Sequence, residues 1–205
     1  MKRLAVVVTM LLCSALPAAA QTEGRVSVGG SVTFIKPTDS EVQSLWGYGP
    51  LVRLNPKKGW GFSGGLNWFR ADLDNPSGES GDFARLRVRP LMAGVAYTIG
   101  NQPALVSFSI VAGPSFNDLD FRDEYLDRLP AGSPRPELDA DNSFAVRGGV
   151  TLTYTVAPRI AIIGFGGYLV NRPDVVYRDG TGQEYRNRWK ADSIALSVGA
   201  VYSLF

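Results

Sequence analysis

Apolar side chains alternate with small or polar ones over several long stretches of this 205-residue chain. From Phe144 to Val156, most even-numbered positions are apolar or aromatic, whereas the odd-numbered ones include Arg147 and three threonines. The stretch from Ile194 to Leu204 repeats this pattern. Successive side chains of a β-strand point to opposite faces, so the alternation predicts strands with one apolar face. No stretch of comparable length has a helical period, and we therefore predict an all-β fold.

The alternating stretches divide into eight predicted strands. The fourth changes its apolar face near Pro90, which we interpret as a β-bulge because proline cannot donate to a strand ladder. The seventh is apolar on both faces, which leaves its orientation open. We place the strands near residues 25–37, 46–54, 59–70, 83–99, 104–116, 143–156, 160–171 and 188–205.

The links between these strands alternate strictly in length. Residues 55–58, 100–103 and 157–159 form short links, and the others are longer, with the longest at 117–142. Short turns at one end and long loops at the other are typical of an antiparallel up-and-down transmembrane β-barrel. A soluble exported sandwich or a lipocalin-like binding protein is the alternative.

The N-terminus has the pattern of a cleaved signal peptide. Lys2 and Arg3 precede an apolar run that is too short to span a bilayer, and small residues follow at 18–20. We therefore predict a signal peptide at 1–20 and a barrel domain at 21–205. A lipoprotein site at Cys13 is a weaker alternative because a leucine stands immediately before it. Without residues 1–20, basic and acidic residues balance, and nothing in the charge indicates nucleic-acid binding.

Aromatic residues on one face of the predicted strands suggest two membrane interfaces. Trp60 and Trp68 are separated by about 20 Å of barrel height, at roughly 3.3 Å per residue and a strand tilt near 40°. The pair Phe144 and Tyr154 gives about 25 Å by the same arithmetic. The apolar band of such barrels is about 25 Å tall and is bounded by aromatic girdles. We assign these four residues and Tyr202 to the girdles.

The signal peptide, the eight alternating strands and the terminal Phe205 resemble the small outer-membrane β-barrel proteins of the OmpA-transmembrane-domain and OmpX-like kind. The resemblance covers the whole chain after the signal peptide. It implies the outer membrane of a Gram-negative-type bacterium, contact with its lipids and lipopolysaccharide, and folding by the barrel-assembly machinery. It also implies a C-terminal assembly signal in Tyr202 and Phe205. Members usually carry the second aromatic residue two positions before the end, whereas Tyr202 lies three before it.

Catalytic and metal-binding patterns are weak in this chain. It has no histidine, the usual general base of barrel enzymes in this membrane, so we predict no enzyme activity. Asp72 and Asp74 begin a loop that faintly resembles a calcium loop, but Ser77 and Phe83 replace its glycine and its closing glutamate. We expect no metal site and no cofactor.

A charge pattern suggests a luminal cluster. Arg85, Arg87 and Arg89 alternate on one strand, and Arg53 and Arg147 belong to the face that we expect to line the lumen. Buried cations need partners, and the loops at 70–82 and 117–142 are acidic. We therefore expect carboxylates from these loops to pair with the arginines and close the barrel mouth as a lid. Solvated arginines on a wet wall are the alternative.

The interior of an eight-stranded barrel is just wide enough for its own side chains. We therefore predict a non-channel protein with a structural or surface-interaction role, presented by its external loops. A possible extracellular partner would bind at 117–142. The alternative is a carrier or narrow pore for small apolar molecules, with Leu91, Leu105 or Val111 lining a pocket.

Overall fold

The barrel strands follow one another around a closed wall, and each pairs antiparallel with its chain neighbours. The computed structural model describes residues 26–38, 44–54, 57–74, 82–127, 136–178, 183–188 and 191–204. Its elements are β1 (Val26–Pro37), β2 (Leu45–Leu54), β3 (Gly59–Leu66), β4 (Trp68–Asp74), β5 (Asp82–Asn101), β6 (Ala104–Phe121), α1 (Asp123–Leu126), β7 (Glu137–Ala140), β8 (Ser143–Ala157), β9 (Ile160–Val170), β10 (Asp174–Arg178), β11 (Glu184–Arg188) and β12 (Ser193–Ser203).

Strand β1 closes the barrel because it pairs with both β2 and β12. Val28, for example, lies opposite Val52 on one side and Tyr202 on the other. β3 and β4 act as one wall strand that is interrupted at Asn67, whose backbone amide donates to the Pro90 carbonyl at 3.2 Å. With β3 and β4 counted together, the wall has eight strands, and the predicted up-and-down barrel is confirmed.

The structure adds a second sheet that the sequence pattern did not predict. It has three short strands in the order β11-β10-β7 and lies at the barrel end where the long links emerge, which we call the loop end. The opposite end, with the short links, is the turn end. The predicted last strand therefore begins at 193 rather than 188, and both ends of the predicted loop at 117–142 belong to strands. No helix in the described part of the chain is long and apolar enough to cross a membrane.

Strand β5 keeps one orientation along its whole length. Its even-numbered residues face the interior both before and after Pro90, and its register with β6 is the same on both sides of that residue. The bulge that we predicted at Pro90 is therefore wrong. The sequence seemed to change face because the outward positions of β5 are arginines just before Pro90 and mostly apolar residues after it. β9, which the sequence left open, turns Ile163 and Leu169 inwards.

Apolar side chains dominate the interior at the loop end, beside the buried Ser115, Asn117 and Asn171, whereas hydroxyl groups and Arg53 are prominent towards the turn end. Towards the turn end, hydroxyl groups pair across strands, as between Ser27 and Ser203 at 3.1 Å and between Thr98 and Ser107 at 2.8 Å. The apolar half is a plug of buried side chains contributed by every barrel strand except β3. We call it the apolar plug: Ile35, Leu45, Phe69, Ala84, Leu86, Val88, Met92, Val111, Leu119, Ala145, Leu169 and Ala195.

Glycines on the inner wall make room for an aromatic ring. A Cβ atom on Gly149 would lie 2.6 Å from Cε2 of Phe165, closer than real Cβ contacts allow. A Cβ on Gly167 would collide with the same ring. The Phe165 ring therefore lies against a wall with no side chains at these two positions, which leaves its other face free to meet a charged group.

Candidate functional site

The predicted luminal cluster divides between the two sides of the wall. Arg53 and Arg147 line the interior, as expected. Arg85, Arg87 and Arg89 instead alternate with the buried Ala84, Leu86 and Val88 and point outwards, so their assignment to the lumen is wrong. A polar face identifies the lumen side of a strand only along the part of the strand whose other face meets lipid. β5 has 20 residues, about 50 Å of height at a tilt near 40°, so it extends beyond a band of about 25 Å.

The outward arginines pair with carboxylates of the neighbouring strand β6. Arg87 Nη1 lies 2.9 Å from Asp118 Oδ2 and 3.7 Å from Asp120 Oδ2. Arg89 Nη2 lies 3.5 Å from the same Asp118 oxygen. Two of the predicted arginines thus pair with residues from 117–142. Because those residues belong to the strand beside them, the pairs lie along the outer wall and not across the barrel mouth. Arg85 and Arg87 also line a cavity with residues of α1 and β7, among them Leu126 and Glu137.

The opposite neighbour of this strand adds a fourth cation. Arg70 of β4 is exposed and lies directly opposite Arg87 in the β4–β5 register. Like charges at opposed positions of a sheet are unfavourable unless an anion lies between them or nearby. We call the set Arg70, Arg85, Arg87 and Arg89 the outer arginine wall.

Asp120 carries a sign of crowding among the acidic groups beside this wall. Desolvation, followed by repulsion from Asp118, raises the pKa of the Asp120 carboxyl above its ordinary value, and attraction to Arg87 opposes this. Asp118 and Asp120 therefore share Arg87, and the repulsion between the two carboxylates weakens this arrangement.

Aromatic side chains form two belts on the outer face. The five predicted girdle residues all point outwards and are exposed, from Trp60 at 69% to Trp68 at 37%. The structure adds aromatic residues that the sequence reading missed, such as Tyr97, whose ring meets Trp60 edge-on at 5.1 Å. The turn-end belt is Trp60, Tyr97, Tyr154 and Tyr202, and the loop-end belt is Trp46, Trp68, Phe116 and Phe144.

The heights of the arginines follow from their spacing along β5. Arg89 is eight residues from Tyr97 of the turn-end belt, about 20 Å in height at a tilt near 40°. Arg87 and Arg85 lie about 25 and 30 Å above that belt by the same arithmetic. The outer arginine wall therefore begins where an apolar band of about 25 Å would end.

Inside the barrel, Arg53 is nearly inaccessible and is held by neutral groups. Its Nη1 donates to Thr153 Oγ1 at 2.8 Å, and its Nη2 donates to Ser107 Oγ at 2.9 Å. The Ser107 hydroxyl also shares a 2.8 Å hydrogen bond with Thr98. These contacts satisfy the guanidinium geometrically but supply no countercharge.

Arg147 lies further towards the loop end, over the exposed face of the Phe165 ring. Its guanidinium carbon is 4.7 Å from the ring centroid, which is cation–π distance. Its Nε is buried and makes no hydrogen bond with the protein. In the described ranges, no carboxylate lies within ion-pair distance of either Arg53 or Arg147.

Two cavities meet at Arg53. The inner chamber, of about 70 Å³, lies between Arg53 and Arg147 and is lined by hydroxyls such as Ser109 and Ser197. The vestibule, of about 520 Å³, opens at the turn end and is lined by Arg53, Lys57 and Arg159. Among the described residues that line either space, every charged side chain is basic.

Ion pairs and a buried amide network fix the second sheet at the loop end. Arg178 of β10 reaches Glu137 of β7 at 2.6 Å and Glu184 of β11 at 3.2 Å. Hydrogen bonds from Arg178 and from Arg186 lower the pKa of the Glu184 carboxyl. Below the sheet, Asn117 donates to the Asp141 carbonyl at 2.9 Å, which ties β6 to the segment after β7.

Other predicted site residues have mixed outcomes. Leu91 points outwards and is 49% exposed, so it cannot line an internal pocket, whereas Leu105 and Val111 are buried inside. Phe205 and the predicted signal peptide lie outside the described residues. The side chains of Asp72 and Asp74 are also outside what the structure describes. Among the residues that it does describe, no three histidine, cysteine or acidic side chains are grouped to hold a metal ion.

Comparison with known proteins supports the fold. A family model described as outer membrane protein beta-barrel domain matches residues 5–202. The outer membrane protein OprG from Pseudomonas aeruginosa has a TM-score of 0.68 at 13% identity, over 88% of this chain and 95% of that one. The E. coli Outer Membrane Protein W has a TM-score of 0.56 at 16% identity, over 89% and 98% of the two chains.

Neisserial surface protein A (NspA) has a TM-score of 0.53 at 15% identity, over 87% of this chain and 97% of that one. At these identities the likeness to solved structures concerns the fold alone. No match to this sequence was found among curated proteins.

Proposed function

Because this chain belongs to the outer membrane protein β-barrel domain family, we propose that it is a surface-interaction barrel whose outer arginine wall binds phosphate groups of lipopolysaccharide. Family membership means a bacterial outer membrane, and the apolar outer face between the two aromatic belts meets its lipid. The single observation that carries the proposal is the opposition of Arg70 and Arg87 on the outward face. A phosphate between or beside these guanidiniums would relieve their repulsion.

The height of the outer arginine wall along the barrel favours a lipid headgroup as its ligand. Arg87 and Arg85 lie about 25 and 30 Å above the turn-end belt, so their side chains reach the level of the outer-leaflet headgroups. Their side chains remain accessible, with 38% of Arg87 and 43% of Arg89 exposed. Arginine matches phosphate geometry through two parallel N–H donors, which a lysine cannot do. A lipid-borne phosphate therefore fits both the position and the chemistry.

The charge balance leaves room for this ligand. Asp118 and Asp120 are the carboxylates that pair with Arg87 and Arg89 in the described ranges. Desolvation and repulsion from Asp118 raise the pKa of the Asp120 carboxyl, which disfavours its ionised form, and attraction to Arg87 opposes this shift. A phosphate beside Arg70 and Arg87 would place negative charge where these two guanidiniums oppose each other.

The apolar plug argues against the carrier alternative. Side chains from most of the barrel strands fill the loop-end half of the interior and leave a space of about 30 Å³ among them. A solute would have to displace these groups to reach the exterior along the barrel axis. Binding at the outer surface requires no such rearrangement.

The test is binding of lipopolysaccharide to the purified protein in detergent, measured with phosphorylated and enzymatically dephosphorylated samples. The Arg85→Gln/Arg87→Gln variant should bind the phosphorylated form about tenfold more weakly, as expected for the loss of a charge-assisted contact. The dephosphorylated form should bind the wild type equally weakly. High salt should narrow the difference because these groups are exposed.

The matched control is Arg186→Gln/Arg188→Gln, which removes the same charge from the second sheet at the loop end. This control should retain wild-type binding. If it loses binding while Arg85→Gln/Arg87→Gln keeps it, the contact surface is the second sheet. Equal binding by all variants would contradict a phosphate site on the barrel.

A further inference from the structure

We infer that the inner chamber is a binding site for one small monovalent anion of halide size, which enters from the periplasm through the vestibule. The inference is independent of the lipopolysaccharide proposal because it concerns the interior of the barrel. It starts from two cations, Arg53 and Arg147, which line one interior space together. Arginine stays protonated at any relevant pH, so its burial has to be compensated by a partner and cannot be relieved by loss of a proton.

The described residues supply hydrogen bonds to these cations but no carboxylate within ion-pair distance. Arg53 donates to two hydroxyl groups, and Arg147 stacks on Phe165 with its Nε unpaired. An uncompensated buried charge is costly, by far more than a hydroxyl contact returns. An anion between the two guanidiniums would compensate both at once.

The lining of the inner chamber has the chemistry of an anion site. Serine and threonine hydroxyls surround the two arginines, and each can turn its hydrogen towards an anion. The described lining contains no carboxylate that would repel one. The hydroxyl groups of this lining belong to Ser31, Ser63, Ser107, Ser109, Thr151 and Ser197.

The volume limits the occupant to a small ion. The inner chamber measures about 70 Å³, several times the roughly 10–15 Å³ that holds one water molecule. A halide with one or two waters fits this space. An organic anion such as gluconate, with thirteen non-hydrogen atoms, does not.

The surroundings favour entry from one side only. The vestibule opens at the turn end, and Arg53, Lys57 and Arg159 give it a positive potential that concentrates anions. Arg53 lines both spaces and therefore stands at their junction. The apolar plug closes the loop end, so the chamber is a dead end and conducts nothing across the membrane.

The first experiment measures thermal unfolding of the detergent-purified protein in sodium gluconate, chloride or bromide at constant ionic strength. A halide concentration of about five times the Kd should raise Tm by roughly 2–4 °C. The rise should saturate. Arg147→Gln should abolish it, whereas Arg178→Gln, on the second sheet, should retain it. A general salt effect would persist in Arg147→Gln and would overturn the proposal.

The second experiment replaces the bound anion with a carboxylate that is part of the protein. Ser109 lines the chamber and lies opposite Gly149, two residues along β8 from Arg147. Ser109→Asp should raise Tm in gluconate to the value of the wild type in chloride and should remove the halide response. A Ser109→Asp protein that still responds fully to halide would contradict the assigned position.

The third measurement does not depend on any variant. Crystals of the wild-type protein grown or soaked in sodium bromide should give an anomalous peak between the Arg53 and Arg147 guanidiniums. Peaks confined to the outer surface, with none in the chamber, would overturn the inference even if a Tm response is seen.

Discussion

A single methyl group should disturb the inner wall at Gly149. A Cβ there would lie 2.5 Å from the Gly166 carbonyl oxygen and 2.6 Å from Cε2 of Phe165, whose ring also contacts the Arg147 guanidinium. We predict that Gly149→Ala lowers the free energy of unfolding by about 1–3 kcal/mol, the usual cost of overpacking. Urea unfolding of the protein in lipid vesicles, followed by tryptophan fluorescence, measures the change.

The neighbouring glycine provides the control for this prediction. Gly148 faces outwards, and the nearest atom to a Cβ there is the Ser109 carbonyl oxygen at 4.0 Å. Gly148→Ala should therefore leave stability within about 0.5 kcal/mol of the wild type, like other substitutions at open positions. Equal effects of the two alanines would contradict the close packing of the inner wall at Gly149.

At the scale of elements, the strand pattern was predictable wherever one face meets lipid and the other meets the lumen. β8 shows this well: Phe144 and Tyr154 point outwards and Thr153 points inwards, as the alternation predicted. The same rule failed for Arg85, Arg87 and Arg89. Above the membrane both faces of a strand tolerate polar residues, so polarity no longer distinguishes the inside from the outside.

The second sheet escaped prediction for a different physical reason. Its strands have four or five residues, too few for a clear period, and they pair with distant segments rather than with chain neighbours alone. Their stability comes from ion pairs and from packing such as that of Phe121 on Tyr177, with ring centroids 6.3 Å apart. Contacts of this kind depend on the fold and leave no periodic signal in the sequence.

The second sheet should loosen in acid. The pKa of Glu184 lies below its ordinary value of 4.5 because Arg178 and Arg186 bind its carboxylate. Its stabilising contribution is therefore complete above pH 4.5 and is lost as pH falls through the lowered pKa. We predict faster amide hydrogen exchange in 184–188 at pH 3 than at pH 6, after correction for intrinsic rates, with β8 unchanged.

Two variants test whether Glu184 causes this response. Glu184→Gln should show the faster exchange already at pH 6 and little further change at pH 3. Asp123→Asn, which removes an exposed charge from α1 outside this ion-pair network, should behave like the wild type. An acid response that persists in full in Glu184→Gln would assign it to other carboxylates.

At the scale of the whole molecule, the charged groups separate by height. The turn end opens into a basic vestibule, the middle holds two buried guanidiniums, and the loop end is closed by the apolar plug beneath an ion-paired sheet. The outer arginine wall begins about 20 Å above the turn-end belt, at Arg89. The proposed contact with lipopolysaccharide requires one orientation, with the turn end in the periplasm and the loop end outside the cell.

The orientation can be tested with single cysteines because Cys13, in the predicted signal peptide, is the chain's one native cysteine. Asp123→Cys places an exposed thiol at the loop end, and Lys58→Cys places one at the turn end. A polymer-linked maleimide too large to cross the outer membrane should label Asp123→Cys in intact cells. It should label Lys58→Cys only after the outer membrane is permeabilised, because the barrel lumen is closed by the apolar plug. Labelling of Lys58→Cys alone in intact cells would mean the reverse orientation, and would remove the outer arginine wall from the leaflet that contains lipopolysaccharide.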